Sequence, residues 1–201
     1  MPSEIGKKID EVTSGALAAR LKDHGYRKKG RTFHRRTDEA TCVVNVQASV
    51  SNAGHEGSFT VNLGVYFPGI EEPLRGGSSS DPPRESECTL RQRLGGLMPG
   101  SGGDRWWTVA KVSDLSAISD AVAESWRTYG RPWLDGNATL AGASATLATR
   151  NGLHGAVAAM LLGDRAAAEQ RLRTFLDTCP ATATMLRARA ERWAQSVGLA
   201  P

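Results

Sequence analysis

The sequence predicts an α+β fold: an antiparallel, twisted sheet with helices on its apolar face, plus an alanine-rich C-terminal helical tail. Three observations carry this prediction. Segments 42–50 (CVVNVQASV) and 58–67 (SFTVNLGVYF) alternate apolar and polar residues with the period of a half-buried strand. Stretches 3–24 and 114–129 repeat apolar residues at helical spacing. From about residue 137 the composition shifts to alanine-rich helical segments.

Residues 3–24 read as one amphipathic helix, with Ile5, Ile9, Val12, Leu17 and Leu21 inward, Ser3 as N-cap and Gly25 as the stop. A basic stretch then leads into a strand over 31–36. A turn at 37–40 opens the strand at 42–50, where Cys42, Val44, Val46, Ala48 and Val50 point one way and Asn45, Gln47 and Ser49 the other. The polar loop SNAGHEG connects it to 58–67, where Phe59, Val61, Leu63, Val65 and Phe67 oppose Thr60, Asn62 and Tyr66.

Residues 68–87 are dense in Pro, Gly and Ser and read as a loop, either a functional lid or a disordered insertion. ECTLRQRLGGL resumes as a strand or short helix; if extended, it sets Thr89, Arg91 and Arg93 on alternate positions. A flexible link, MPGSGGD, precedes RWWTVA, the last strand. The helix over 114–129, capped by Ser113 or Asp114, places Leu115, Ile118, Val122 and Trp126 on one stripe and ends at Gly130 and Pro132. In the tail, helices are expected over 138–149, 153–162, 165–177 and 182–197. Their inward residues are Leu153, Val157, Met160, Leu161, Leu172, Phe175, Leu176, Met185, Leu186, Trp193 and Val197. LLGDRAAAEQRL resembles one tetratricopeptide hairpin, but a solenoid needs at least about three repeats, so an ordinary helical hairpin is the reading. Residues 1–135 then form the sheet domain and 136–201 a helical extension, which either extends the core or partly roofs the polar face.

Composition sets limits. A chain of 201 residues with 40% hydrophobic and 23% charged residues builds a sizeable core, which argues against disorder of the whole chain. The net charge of +4 is mild and local: 27–36 (RKKGRTFHRR) carries six cations and no acid. The three cysteines are odd in number and far apart, without CxxC, which points to free thiols in a reducing cytoplasm. Cys42 and Cys88 are expected on the apolar sides of their strands. No signal core and no membrane span stand out. The four histidines lack HxxxH or HxH spacing, and neither GxxxxGK[ST] nor GxSxG occurs, so no metal site and no cofactor are expected.

The candidate ligand site is the amide face: Asn45 and Gln47 set beside Thr60 and Asn62, with Arg91 and Arg93 adding guanidinium forks suited to carboxylate or phosphate. Amides sealed in a dry interior cost about 1–3 kcal/mol each unless paired, so this face is wet, internally networked or occupied by a polar partner. The alternative for the arginines is ion pairing with Glu85, Glu87 or Asp104. The adjacent Trp106 and Trp107 face opposite sides of a strand, one toward the core and one, taken as Trp107, walling the polar face or stacking on a ligand; the alternative is core packing of both through a bend. The basic run Arg27, Lys28, Lys29, Arg31, Arg35 and Arg36 encloses Phe33 and His34. It reads first as a solvated face and second as a nucleic-acid contact, because alternation splits it between two sides.

The motifs GYRKKGRTFHRR, VVNVQAS, FTVNLGVY, ECTLRQRLGGL and RWWTV occur in this order, and over residues 3–135 the chain resembles the domain of unknown function 4304 family of bacteria. The matching positions are Gly25, Gly30, Phe33, Arg35, Asn45, Gln47, Ser49, Phe59, Asn62, Leu63, Gly64, Arg91, Arg93 and Trp106–Trp107. The resemblance implies a fold and a location but no reaction, and brings no catalytic residue with it. The leading functional expectation is a non-enzymatic binding module holding a polar or anionic group, from a small ligand or a partner protein, against Asn45, Gln47, Asn62, Arg91 and Arg93. The alternative is a hydrolase or transferase acting on an anionic substrate in the same cleft, with His34 or Glu87 as base.

Overall fold

A computed structural model describes residues 3–52, 55–76, 80–100, 104–150 and 152–199; parts of the predicted 51–57 hairpin loop, the 68–87 loop and the MPGSGGD link lie outside them. The N-terminal segment is two helices, not one: α1 (Glu4–Ser14) and α2 (Ala16–Asp23). Ser3 caps α1, its hydroxyl accepting from Gly6 N at 3.0 Å. Gly15 leaves the helical region, with ψ −135°, and a Cβ there would lie 2.6 Å from Ser119 Oγ. The break lets α1 and α2 bend around a later helix, whose Ser119 hydroxyl donates to Val12 O at 2.9 Å.

Six strands follow: β1 (Arg27–Lys29), β2 (Thr32–Arg36), β3 (Thr41–Ala48), β4 (Glu56–Tyr66), β5 (Leu90–Arg93) and β6 (Trp107–Ala110). They form one antiparallel sheet in the order β1-β2-β3-β4-β5, and β6 pairs with the other end of the β4 edge that β5 occupies. The sequence reading left β1 inside the basic stretch. It is a separate strand because Gly30, at φ +62°, reverses the chain between Lys29 and Thr32. The alternation holds on the inner face: Cys42, Val44, Val46, Phe59, Val61, Leu63 and Val65 are buried together. Val50 is a correction, since it falls beyond β3 and is fully exposed.

Helices α1, α2, α4 (Leu115–Ser125) and α5 (Arg131–Asn137) cover that apolar face. Asp114 caps α4, accepting from Ala117 N at 3.0 Å. The predicted stop at Gly130 and Pro132 does not occur. Gly130 stays helical (φ −71°, ψ −46°), a π-turn spans Trp126–Gly130 with the Arg131 N–H donating to Trp126 O, and the helical path runs on through Pro132 into α5. Residues after β4 are also corrected. Pro68–Arg75 form helix α3, opened by Pro68 and closed by Gly76 at φ +72°. Pro73 argues against a helix locally, but burial of Ile70 and Leu74 against the tail overrides that preference.

The tail is α6 (Leu140–Ala148), α7 (Leu153–Leu161), α8 (Arg165–Thr178) and α9 (Thr184–Ser196). It extends the core: one apolar cluster runs from Ile5 through the sheet to Trp193 and Leu199. Three residues expected inward, Leu161, Met185 and Leu186, are instead exposed.

Candidate functional site

Strand register sets five polar side chains in one row across the sheet: Lys29, Thr32, Asn45, Asn62 and Arg93. Strands lie about 4.8 Å apart, so the row is about 19 Å long. The next row reads Arg27, His34, Val43, Gly64 and Arg91. The period of two puts both rows opposite the core, and Gln47 pairs with Thr60 on the same side.

The amides are partly networked. Asn45 Nδ2 donates to Thr32 Oγ1 at 2.8 Å, and Asn62 Nδ2 donates to Gln47 Oε1 at 2.7 Å. Gln47 is exposed, Asn45 half-buried and Asn62 nearly covered. Thr60, expected to bind ligand, is fully buried and spends its hydroxyl on Arg105 O at 3.0 Å. The tryptophan assignment is reversed. Trp107 faces the core, stacked on Phe59 with ring centroids 5.8 Å apart, whereas Trp106 lies on the outer side under the Arg93 guanidinium. The side chain at 107 follows β6 pairing with Phe59, an inward position of β4.

Both arginines of β5 are neutralised. Glu85 holds Arg91 through two hydrogen bonds of 2.9 and 3.1 Å, and Asp104 pairs with Arg93. This is the ion-pair alternative for both residues. Asn45, Gln47, Asn62, Arg91 and Arg93 do share one face, clear of the C-terminal helices.

A strap, Ser80–Cys88, crosses this face. His34 Nε2 donates to Pro83 O at 3.0 Å, Arg36 pairs with Asp81, and Ser80 Oγ donates to Glu87 Oε2 at 2.6 Å. Cys88, expected on the apolar side, packs here with Val43 and Tyr66, so the face carries an apolar centre beneath the strap. Gly64 makes the close approach possible: a Cβ there would lie 2.5 Å from Cys88 Sγ.

Strap and sheet flank an open cavity of about 560 Å³ lined by Lys29, Thr32, His34, Asn45 and strap residues, among them Asp81, Arg84, Glu85 and Ser86. A second cavity, about 330 Å³, is lined by Gln47, Asn62, Glu85, Arg91 and Arg93. Glu85 lines both. A third, about 560 Å³, opens toward the β1–β2 hairpin and shares Lys29 and His34 with the first. No residue of these three cavities lies beyond Arg93.

The cations are redistributed relative to the basic run. Arg31 pairs with Asp10 at 2.6 Å, Arg35 with Asp135 at 2.6 Å, and Lys28 donates to the Ser14 hydroxyl; all three reach the helical layer. Only Arg27, Lys29 and Arg36 belong to the outer rows, so the six cations form no single patch. Among the described residues, Arg27, Lys29 and Arg84 form no ion pair. Arg84 is the residue the sequence reading missed. It lies in an aperiodic loop, where no spacing marks it.

Burial holds the His34 imidazole below its ordinary pKa; the Pro83 carbonyl opposes this and the Lys29 ammonium adds to it. Glu87 is held below the carboxylate range by the Ser80 hydroxyl and the Arg84 backbone N–H, so it is a poor proton acceptor. Burial raises the thiols of Cys42 and Cys88, which stay protonated at neutral pH. Among the described residues, no group of three His, Cys, Asp or Glu side chains is set to hold a metal.

Residues 17–136 match the family model described as Domain of unknown function (DUF4304), which is more than half of the chain. The chain belongs to this family. No curated protein and no solved structure matches it. The DUF4304 match runs from α2 to α5 and contains both polar rows, the strap and all three cavities. It begins later than the 3–135 span of the resemblance, leaving α1 outside.

Proposed function

We propose that this DUF4304 protein is a non-enzymatic binding module that holds an anionic group between the sheet face and the strap. The cavity of about 560 Å³ carries the reading: Lys29 and Arg84, neither in an ion pair among the described residues, line it together with Thr32, His34 and Asn45, while its carboxylates Asp81 and Glu85 are already paired with Arg36 and Arg91. This volume lies in the range of small-ligand sites, and an anion there gains two charge-assisted contacts together with neutral hydrogen-bond donors. The centre of recognition moves from Arg91 and Arg93, whose charge is already matched, to Lys29 and Arg84. A cytoplasmic setting belongs to the same reading, supported by three cysteines that are all buried and free.

The test is a titration of the full chain with inorganic phosphate and with citrate, followed by amide chemical shifts. Shift changes should cluster at 29–34, 45 and 80–86, and the double variant Lys29→Ala/Arg84→Ala should weaken binding by about tenfold or more, about 1.4 kcal/mol. Both side chains are exposed, so the thermal midpoint should stay unchanged. Shifts scattered over the surface, or equal affinity in the variant, would remove the assignment.

A further inference from the structure

The charge along the polar row is uneven, and the ligand should mirror it. Lys29 stands at the β1 end and Arg84 lines the same cavity from the strap, both without ion-pair partners among the described residues, and Arg27 follows in the next row. At the β5 end, Glu85 and Asp104 cancel Arg91 and Arg93. Between them, the described hydrogen bonds leave Asn45 Oδ1 and Gln47 Nε2 unengaged, so the middle offers an acceptor and a two-proton donor side by side. At the β5 end both guanidiniums are already matched, so a second anion there finds no free positive charge.

Resting on the anion-binding reading above, we infer that the ligand is a small phosphorylated sugar or polyol, its phosphate against Lys29 and Arg84 and its hydroxyls along Asn45, Asn62, Gln47 and Glu85. Hydroxyls both donate and accept, which matches an amide–carboxylate lining better than a purely anionic or apolar body does. From Lys29 to Asn62 is three strand steps, about 14 Å. Lys29, Thr32 and Asn45 line one cavity, Gln47 and Asn62 the other, and Glu85 lines both, so a ligand that spans Glu85 reaches residues of each. The cavities, about 560 and 330 Å³, are of small-molecule size.

The experiment titrates the full chain with inorganic phosphate, glycerol 3-phosphate, ribose 5-phosphate and glucose 6-phosphate, followed by amide chemical shifts. At least one phosphorylated compound should bind about tenfold tighter than inorganic phosphate, with shifts extending from 29–34 into 45–47 and 60–62. Gln47→Ala should cut that advantage by about threefold or more and leave inorganic phosphate unaffected; because it also removes the acceptor of Asn62 Nδ2, the thermal midpoint is measured alongside to separate lost contact from lost fold. If all three bind no tighter than phosphate, or Gln47→Ala leaves the ratio unchanged, the inferred ligand class is wrong while the anion cavity stands. If inorganic phosphate itself produces no shifts at the cavity, the anion-binding reading fails with it.

Discussion

His34 couples the site to pH. It lies at the junction of two cavities, faced by Lys29 from β1 and Asp81 from the strap, and Arg36 stands one row further along β2. Burial lowers its folded-state pKa below the ordinary 6.5. The unfolded chain therefore takes up the proton first as pH falls, and stability drops as pH goes below 6.5 until the folded imidazole is also protonated. His34→Gln should flatten the denaturant midpoint between pH 7 and about 5 relative to the parent protein; an identical slope in both would show that His34 contributes nothing. At this scale the sequence was a fair guide to direction and a poor one to partners. Alternation placed Asn45, Gln47, Asn62, Arg91 and Arg93 on one face, because side-chain direction in a strand is local. It offered Glu85, Glu87 and Asp104 as ion-pair partners without assigning them, and was silent on Arg84 arriving from the strap.

The strap is the element that turns an open sheet face into cavities, and Gly64 is where it docks. Adding a methyl group to Gly64 forces Cys88 away from β4, since Sγ and Cβ would lie 2.5 and 2.9 Å from the new atom. Gly64→Ala should destabilise the fold by about 1–3 kcal/mol, measured by chemical denaturation, and weaken phosphate binding at the same time. Unchanged stability would mean that the strap does not pack against β4. The strap and α3 are the stretches where sequence reasoning saw only loop. Pro, Gly and Ser dominate 68–87, and local propensity there points away from order. Order comes from Ile70 and Leu74 burying against the tail helices and from Val43, Tyr66 and Cys88 closing over the sheet. The hairpin of β3 and β4 needed no such help, because two alternating apolar faces pair in only one register that buries both.

Across the whole molecule, one buried cluster joins the sheet, the covering helices and the tail. Glu71 on α3 is fastened at the seam: it is 2% exposed, its Oε2 accepts from Arg75 Nε at 2.7 Å, and its Oε1 faces His154 Nε2 of α7 at 3.3 Å. Burial pushes its pKa up, but the imidazole and guanidinium outweigh that and hold the carboxyl below 4.5. Its stabilising share is therefore present above pH 4.5 and lost as pH falls through the folded value. The tail should unfold with the sheet as one transition. Denaturation followed by fluorescence at Trp126 in the helical layer over the sheet and Trp193 in the tail, each as the sole tryptophan, should give midpoints within about 0.2 M urea of each other; two separated transitions would make 136–201 an independent unit. The sequence by itself determined the α+β class, the alternating hairpin and the shared side of its amides, because these follow from periodicities written in neighbouring residues. Only the tertiary structure decided which cations remain unmatched, that 68–75 is a helix and 80–88 a strap, and that Trp106 rather than Trp107 faces outward. Each of those depends on burial or charge supplied by residues far away along the chain.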